Sequence, residues 1–124
     1  MLVFPMLVYV NGHFVPRDEA RVSVYDHGYL YGDGIYETMR SYQGVIFLLE
    51  QHLSRLKRSA DAIALQLPLP ITKIGDALRE ALTVNKLRDA YVRIQISRGE
   101  GEIGLDPALC PPPTMVIVVK PFKD

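Results

Sequence analysis

Cysteine is nearly absent from this sequence of 124 residues, in which Cys110 is the single example. One cysteine excludes an internal disulfide and any paired-cysteine metal or redox motif, so we expect a reducing compartment. An excess of charge of either sign is also absent, because 14 Lys and Arg residues balance 14 Asp and Glu residues. The sequence therefore has no basic stripe for nucleic acid and no charged tail, and we expect no nucleic-acid partner.

Long apolar runs are absent as well. The N-terminal stretch MLVFPMLVYV is strongly apolar, but a membrane-spanning helix needs about 20 such residues. The stretch also lacks the basic start and the small-residue cleavage site of a signal peptide. We therefore predict a first strand at residues 6–10, no membrane partner and a cytoplasmic location.

The usual metal and nucleophile patterns are missing too. His13, His27 and His52 lie far apart without metal-ligand spacing, so we interpret them as structural or exposed and expect no metal. There is no G-x-S-x-G motif. Cys110 stands in a Cys-Pro-Pro-Pro loop, which is a poor setting for an activated thiolate.

Strand periodicity predicts two hairpins. Leu7–Val10 and His13–Pro16 flank Asn11-Gly12, and an Asn-Gly pair between apolar runs is a strong hairpin signal. Gly34–Tyr42 and residues 45–48 flank a second turn, in which we predict a positive φ at Gly44.

Helical periodicity follows. Residues 50–65 contain neither Gly nor Pro and repeat apolar side chains at helical spacing, so we predict an amphipathic helix ended by Pro68 and Pro70. A second helix is predicted after Thr72, as its N-cap, and before Asn85. Strands at Ala90–Ser97 and 114–119 complete the pattern. The elements together predict an α+β fold, a mainly antiparallel sheet covered by two helices.

Strand alternation separates two faces of this sheet. One face is apolar, while the other carries tyrosine and arginine together: Tyr36, Arg40, Tyr91 and Arg93. A solvated face is one interpretation, because antiparallel sheets commonly have one. The wall of a polar pocket is the other, since arginine recognises carboxylates and phosphates bidentately and tyrosine adds a rigid surface with a hydroxyl.

Two further segments are candidates for function. The turn-forming tract 26–34 has three glycines and carries Tyr29 and Tyr31, which could cover a site or a partner surface, although no phosphate-binding glycine pattern matches it. On the first predicted helix, His52, Arg55 and Ser59 share one stripe. An exposed arginine is the ordinary explanation for that stripe.

The order of these motifs resembles the N-terminal domain of the class IV aminotransferases, the fold-type IV pyridoxal-phosphate enzymes. The resemblance rests on DHGYLYGDGIYE at 26–37, on Arg40, and on HLSRL at 52–56 with Ser59-Ala60. YVR at 91–93, SRG at 97–99 and GLDP at 104–107 follow in order and spacing. The resemblance therefore extends over nearly the whole chain.

The resemblance implies roles for single residues. Arg55 corresponds to the arginine that binds the phosphate of pyridoxal 5'-phosphate. Tyr36, Arg40, Tyr91 and Arg93 correspond to residues that line the substrate pocket. In the family's homodimer or higher homo-oligomer, Tyr31 and Leu105 would reach into the neighbouring subunit's site. The implied substrates are an amino acid and a 2-oxo acid.

The resemblance favours one member of the family over two others. The loop GEGEIGLDP at 99–107 contains no histidine, whereas D-amino acid aminotransferases have an Arg-x-His carboxylate trap there. Its Gly-Leu-Asp-Pro form is similar to the branched-chain enzymes, which implies amino transfer between a branched-chain L-amino acid and 2-oxoglutarate. D-amino acid aminotransferase and aminodeoxychorismate lyase are the alternatives.

The resemblance also implies a missing half. The family's Schiff-base lysine lies in its C-terminal domain, and no lysine of this chain matches its position: Lys57, Lys73, Lys86, Lys120 and Lys123. We therefore expect residues 1–124 to be the N-terminal domain of a longer enzyme and to be inactive alone. A non-catalytic binding or dimerisation module is the alternative from another functional class.

Overall fold

A computed structural model describes residues 6–106, 108 and 112–122 of the chain. Its strands are β1 (Leu7–Val10), β2 (His13–Pro16), β3 (Gly34–Tyr42), β4 (Val45–Ile46), β5 (Ala90–Ser97) and β6 (Thr114–Pro121). Its α-helices are α1 (His27–Tyr31), α2 (Leu49–Ala62) and α3 (Ile71–Val84), and a 3-10 turn spans Arg17–Glu19. No helix in this described part is long and apolar enough to cross a membrane.

The strands form one antiparallel sheet in the order β2-β1-β6-β5-β3-β4. β5 lies at its centre and pairs along its whole length with β3 and β6, from Ala90 to Ser97. The last strand, β6, lies between β5 and β1 and so connects the N-terminal hairpin to the rest of the sheet.

The two longer helices cover one face of this sheet. Leu56, Ile74 and Leu78 from the helices and Ile94 and Ile96 from β5 belong to one buried cluster. Burying an apolar side chain of this size contributes about 1.5–3 kcal/mol, so this cluster supplies much of the driving force for folding. The predicted α+β fold, a mainly antiparallel sheet covered by two helices, is confirmed.

Both predicted hairpin turns are present, and their backbone angles explain them. Asn11 and Gly12 have φ values of 49° and 98°, and Gln43 and Gly44 have 54° and 87°. Two successive residues at positive φ match the right-handed twist of the flanking strands. The second hairpin is shorter than predicted, because β4 ends at Ile46 and Leu48 takes a φ of 56° as the chain turns into α2.

The helix ends differ from the prediction at two places. The first helix ends at Ala62 rather than 65, because Ala64 has a φ of 53° and the Leu65 amide donates to the Ala60 carbonyl, as in a left-handed C-terminal cap. Thr72 is not an N-cap: α3 begins at Ile71, so Thr72 already lies in the first turn, and Pro70 is the N-cap residue, without a side-chain capping hydrogen bond.

The glycine-rich tract contains a helix that the sequence did not predict. The Asp26 carboxylate accepts a hydrogen bond from the Gly28 amide and caps α1, and Gly32 ends it with a φ of 67°. The three glycines suggested only turns. β6 also runs two residues beyond the predicted end at 119.

Candidate functional site

The face of the sheet opposite the helices carries the predicted tyrosine and arginine side chains. Val92, Ile94 and Ile96 are fully buried on the helix side, while Tyr36 and Tyr91 are exposed on the other. The face with Tyr36, Arg40, Tyr91 and Arg93 is called the outer face below. The alternation of apolar and polar residues therefore predicts correctly which side chains of β3 and β5 face the helices and which face outward.

Arg93 organises one half of the outer face. Its guanidinium lies 4.2 Å from the centre of the Tyr36 ring, and it donates to the Thr38 hydroxyl at 3.2 Å and to the Gln95 amide oxygen at 3.1 Å. The cation–π contact and the two hydrogen bonds fix the orientation of the guanidinium. Tyr36 and Arg93 are thus brought into direct contact.

Beside Arg93 lies a cleft of about 390 Å³, called the basic cleft below. Among the described residues, its lining includes three cationic side chains and no carboxylate: Arg17, Arg93 and Lys120. Its walls also include Val8, Tyr91 and Val118. A cleft with clustered cations and apolar walls suits an anionic group on a partly apolar molecule.

Arg40 belongs to a separate aromatic cluster on the same face. Its guanidinium carbon lies 4.3 Å from the Tyr42 ring centre and 3.0 Å from that of Phe122, and its Nε has no hydrogen-bond partner in the part of the chain that the structure describes. Tyr91 meets Phe122 edge-on at 4.9 Å. Phe122 was not predicted as a residue of this face because it follows the last predicted strand.

Register separates the two arginines. Arg93 pairs with Thr38, whereas Arg40 pairs with Tyr91, so the two positions lie two residues apart along the sheet, about 7 Å. The predicted pocket residues therefore form two adjoining groups that share Tyr91, which lines the basic cleft and also pairs with Arg40.

A second cleft, of about 540 Å³, opens where β3 begins. Tyr29, Tyr36 and Gln95 line it together with Val22 and Val116. Tyr36 lines this cleft and stacks on Arg93, which lines the basic cleft. The Tyr36–Arg93 contact therefore lies between the two clefts.

Tyr31 and the loop that carries Leu105 are brought together, outside the linings of both clefts. The Tyr31 hydroxyl accepts a hydrogen bond from the Gly104 amide at 2.9 Å, and the neighbouring Leu105 is 78% exposed. Neither residue lines either cleft.

Buried polar contacts fix this loop region. The Asp26 carboxylate accepts hydrogen bonds from the Ser97 and Thr114 hydroxyls, both at 2.6 Å. The ring of the buried His27 bonds the Glu102 carbonyl at 2.7 Å. These contacts attach α1 to the ends of β5 and β6 and to the following loop, so His27 has a structural role.

The same loop contains a glycine pattern that resembles a dinucleotide-binding motif. Residues 99–104 read GEGEIG, which matches G-x-G-x-x-G, but a dinucleotide site needs a helix directly after the glycines. Residues 101–106 contain no helix, and the Gly101 amide donates to the Tyr25 carbonyl. The pattern therefore does not form that site.

The helix stripe of His52 and Arg55 meets a buried carboxylate. Glu37 of β3 is only 5% exposed and accepts two hydrogen bonds from Arg55, at 2.8 Å from Nε and 2.9 Å from Nη2. His52 Nδ1 donates to the same carboxylate at 2.7 Å. Chiefly through the Arg55 hydrogen bonds, this environment lowers the pKa of Glu37 and raises the pKa of Arg55.

Glu37 was missed as a functional candidate, although a signal for it exists. It falls on the apolar face of β3 with Ile35 and Met39, and a buried charge requires a partner. The stripe of His52 and Arg55 provides that partner. The pairing with Glu37 holds the Arg55 guanidinium in place although the Arg55 side chain is 61% exposed.

The Arg55 guanidinium keeps an open edge. A guanidinium has five N–H donors, and Glu37 takes one from Nε and one from Nη2. Within the described residues three donors remain, on Nη1 and Nη2, and they form the edge that an anion with several oxygens can bind bidentately.

Other candidates contribute less to a site. Cys110 and Lys123 lie outside the described residues. Lys57 pairs with Asp61 on the surface of α2, whereas Lys120 belongs to the basic cleft, where its ammonium lies 5.5 Å from the Tyr91 ring centre. Within the described ranges no three His, Cys, Asp or Glu side chains group as a metal site.

The sequence and the fold both match known proteins. The profile of the family described as Amino-transferase class IV matches residues 34–124. A Methanocaldococcus jannaschii protein provisionally named a branched-chain-amino-acid aminotransferase is 47% identical over 117 residues, 94% of this chain and 41% of that protein. The D-alanine aminotransferase of Staphylococcus haemolyticus is 42% identical over 92 residues, 74% of this chain and 33% of that enzyme.

Solved structures match in fold. The branched-chain amino acid aminotransferase from Escherichia coli gives a TM-score of 0.89 at 27% identity and covers 95% of this chain and 41% of that one. Another matching enzyme of this name was crystallised with pyridoxamine 5'-phosphate. The chain therefore spans between a third and about two fifths of the length of the relatives it matches.

Proposed function

The chain belongs to the class IV aminotransferases, a pyridoxal-phosphate-dependent family, and we propose that it is the N-terminal domain of a longer transaminase. Residues 1–124 would supply walls of the substrate pocket and a phosphate ligand. The remainder would supply the lysine that carries the cofactor. The relatives support this division, because the chain covers 41% of the archaeal protein and 41% of the Escherichia coli enzyme.

Arg55 is the proposed ligand of the cofactor phosphate, and the open edge of its guanidinium is the observation that carries the proposal. The side chain is 61% exposed, and three of its N–H donors are unused by Glu37. A phosphate presents several acceptor oxygens to such an edge. The residues present therefore fit a pyridoxal 5'-phosphate group.

The protein's part in the reaction is to bind and orient. When bound, pyridoxal 5'-phosphate supplies the electron sink that amino transfer needs. Arg55 would hold the phosphate end, while Tyr36 and Arg93 on the outer face would orient the substrate. Tyr91 and Arg40 would complete the walls of the pocket.

The basic cleft supports a dicarboxylate as one substrate. Arg17, Arg93 and Lys120 line it, and no described residue of the lining carries a counter-charge, which suits the second carboxylate of 2-oxoglutarate. Its apolar walls, with Val8 and Val118, suit a branched aliphatic side chain. We therefore propose transfer between a branched-chain L-amino acid and 2-oxoglutarate.

An assay of the complete protein tests the substrate. We expect activity with leucine plus 2-oxoglutarate, and an Arg93→Gln variant should raise the KM for 2-oxoglutarate about tenfold while changing the KM for leucine less. Activity with D-alanine alone would contradict the branched-chain proposal. Activity only on aminodeoxychorismate would favour the lyase.

The reading frame after Asp124 tests the division into two parts. A frame that continues and contains a suitably placed lysine supports the enzyme. A stop codon at that point supports the alternative, a binding or dimerisation module without catalysis.

Assembly and location complete the proposal. We propose a cytoplasmic homodimer or higher homo-oligomer in which the exposed Tyr31 and Leu105 reach the neighbouring subunit's site. A mixture of a Tyr31→Ala subunit and an Arg93→Gln subunit should then regain activity in mixed dimers, because one site would contain both native residues. Absence of any recovery in mixed dimers would contradict shared sites.

A further inference from the structure

We infer that Glu37 is a positioning residue, which holds the Arg55 guanidinium so that its open edge faces the cofactor phosphate. The inference rests on the proposed function, because it assumes that Arg55 binds this phosphate. It assigns a role in cofactor binding to a residue that is itself buried and turned toward the helices.

The geometry of the pair defines the orientation. Glu37 Oε2 receives Nε–H at 2.8 Å and Oε1 receives Nη2–H at 2.9 Å, so the carboxylate occupies one side of the planar guanidinium. The two hydrogen bonds then fix both the plane of the Arg55 guanidinium and the direction in which its opposite edge points. A single hydrogen bond would leave the group free to rotate.

The anchor is more rigid than the group it holds. Glu37 lies within β3, where it pairs with Ile94 of the central strand. His52 holds the same carboxylate through Oε1 at 2.7 Å. Arg55 projects from α2 with more than half of its side chain exposed, and an exposed arginine samples many rotamers. Without Glu37, phosphate binding would have to order the side chain first.

The position of Glu37 in β3 also sets where the phosphate lies relative to the substrate. Tyr36 is the preceding residue and points to the outer face, while Glu37 points to the helix face. One rigid strand therefore carries both a substrate contact and the anchor of the phosphate ligand. The phosphate ligand and the substrate contact would therefore be held at a fixed distance from each other, as preorganised binding requires.

The test compares two ligands that differ only by the phosphate. Apparent Kd values of the complete protein, freed of cofactor, are measured for pyridoxal 5'-phosphate and for pyridoxal by absorbance titration. The Kd for pyridoxal divided by that for pyridoxal 5'-phosphate reports the contribution of the phosphate. We expect Glu37→Gln to reduce this ratio about tenfold, while the Kd for pyridoxal stays within about twofold of wild type.

The matched control is Arg58→Gln, which removes a charge from an exposed position three residues along the same helix and should leave the ratio unchanged. Arg55→Gln should reduce the ratio further than Glu37→Gln does. Adding Glu37→Gln to Arg55→Gln should then change nothing more, because the positioned group is gone.

Each outcome decides a different point. A ratio that Arg55→Gln lowers and Glu37→Gln leaves unchanged overturns the positioning role and leaves the proposed function intact. A ratio that Arg55→Gln leaves unchanged overturns the phosphate site itself. If Glu37→Gln does not fold, Glu37→Asp replaces it, since its shorter carboxylate cannot reach both nitrogens, and the same reduction of the ratio is expected.

Discussion

Glu37 shows how much a single buried carboxylate can organise. It joins β3 to α2 through Arg55 and His52, and these contacts connect residues 15 and 18 positions apart in the sequence. Because the hydrogen bonds favour the charged form, the pKa of Glu37 is lowered from 4.5. Its effect on stability must therefore depend on pH.

The first prediction concerns this dependence. The unfolded state binds a proton at higher pH than the folded state does, so the contribution of Glu37 is complete above its ordinary pKa of 4.5 and is lost as the pH falls through the folded value. Glu37→Gln should lower the free energy of unfolding at pH 7 by about 1 kcal/mol, since the arginine is well solvated. Urea titrations at pH 7 and pH 3 should show the difference from wild type shrinking in acid.

The control for this measurement is Glu50→Gln, an exposed carboxylate in the first turn of α2. It should change the pH dependence little. A Glu37→Gln deficit that is equally large at both pH values would show that packing, not charge, causes it.

At the scale of elements, Arg98 connects three parts of the fold. It pairs with Asp33, next to the start of β3, at 3.0 and 3.2 Å. It also donates to the carbonyls of Ile63 at 2.8 Å and Ala64 at 3.1 Å, beyond the end of α2. Ile63 is the C-cap residue of α2, and the last carbonyls of a helix have no partner within it, so this buried guanidinium helps to cap α2.

The second prediction follows from that contact. Arg98→Ala should lower the free energy of unfolding by about 3 kcal/mol, because it leaves a half-buried carboxylate and two carbonyls unpaired. Lys57→Ala breaks an ion pair whose two side chains are both mostly exposed and should cost under about 0.5 kcal/mol. Equal losses in thermal melts of the two variants would refute the capping role.

The third prediction concerns a close approach between two loop segments. Gly99 has a φ of 110°, and a Cβ at this position would lie 1.9 Å from the Pro112 carbonyl oxygen. Gly12 has a similar φ of 98° with open space around it. Gly12→Ala therefore measures the backbone strain alone, about 1 kcal/mol.

Gly99→Ala adds the collision to the same strain and should cost about 3 kcal/mol in total. Differential scanning calorimetry of both variants separates the two effects. Similar melting temperatures for the two variants would mean that the loop at Pro112 shifts freely.

The elements also show what the sequence could predict. Both hairpins were predictable because Asn11-Gly12 and Gln43-Gly44 encode their turns locally. The end of α2 was not, because Ile63 and Ala64 are compatible with a helix and the contact with Arg98 comes from a residue 34 positions or more away in the sequence, just after β5. The pairing of Glu37 with Arg55 was not predictable either, because the two residues lie far apart in the sequence. That Glu37 faces the helices was predictable from strand alternation.

At the scale of the whole molecule, cooperativity should centre on β5. This strand has neighbours on both sides along its full length, and Val92, Ile94 and Ile96 are fully buried. At the two edges, β2 and β4 each pair on one side only. Local opening should therefore begin at the edges and reach β5 last.

Hydrogen exchange gives the fourth prediction. The amides of β5 that pair with β3 and β6 should exchange slowest, at the rate of global unfolding, and those of β4 should exchange at least about a hundredfold faster. NMR or mass-spectrometric exchange at neutral pH measures this. Protection in β4 equal to that in β5 would contradict the order of opening.

The place of β6 in the sheet has a consequence for synthesis on the ribosome. The hairpin of β1 and β2 emerges before β6, and within it Tyr9 pairs with Phe14. The partner of Tyr9 on the other side of β1 is Ile117 of β6. That partner is made roughly 100 residues later, which at about 5–20 residues per second is a delay of roughly 5–20 s. During this interval the inner edge of β1 is unpaired in the nascent chain, so slow translation before β6 would lengthen the time in which chaperones or other strands can bind it.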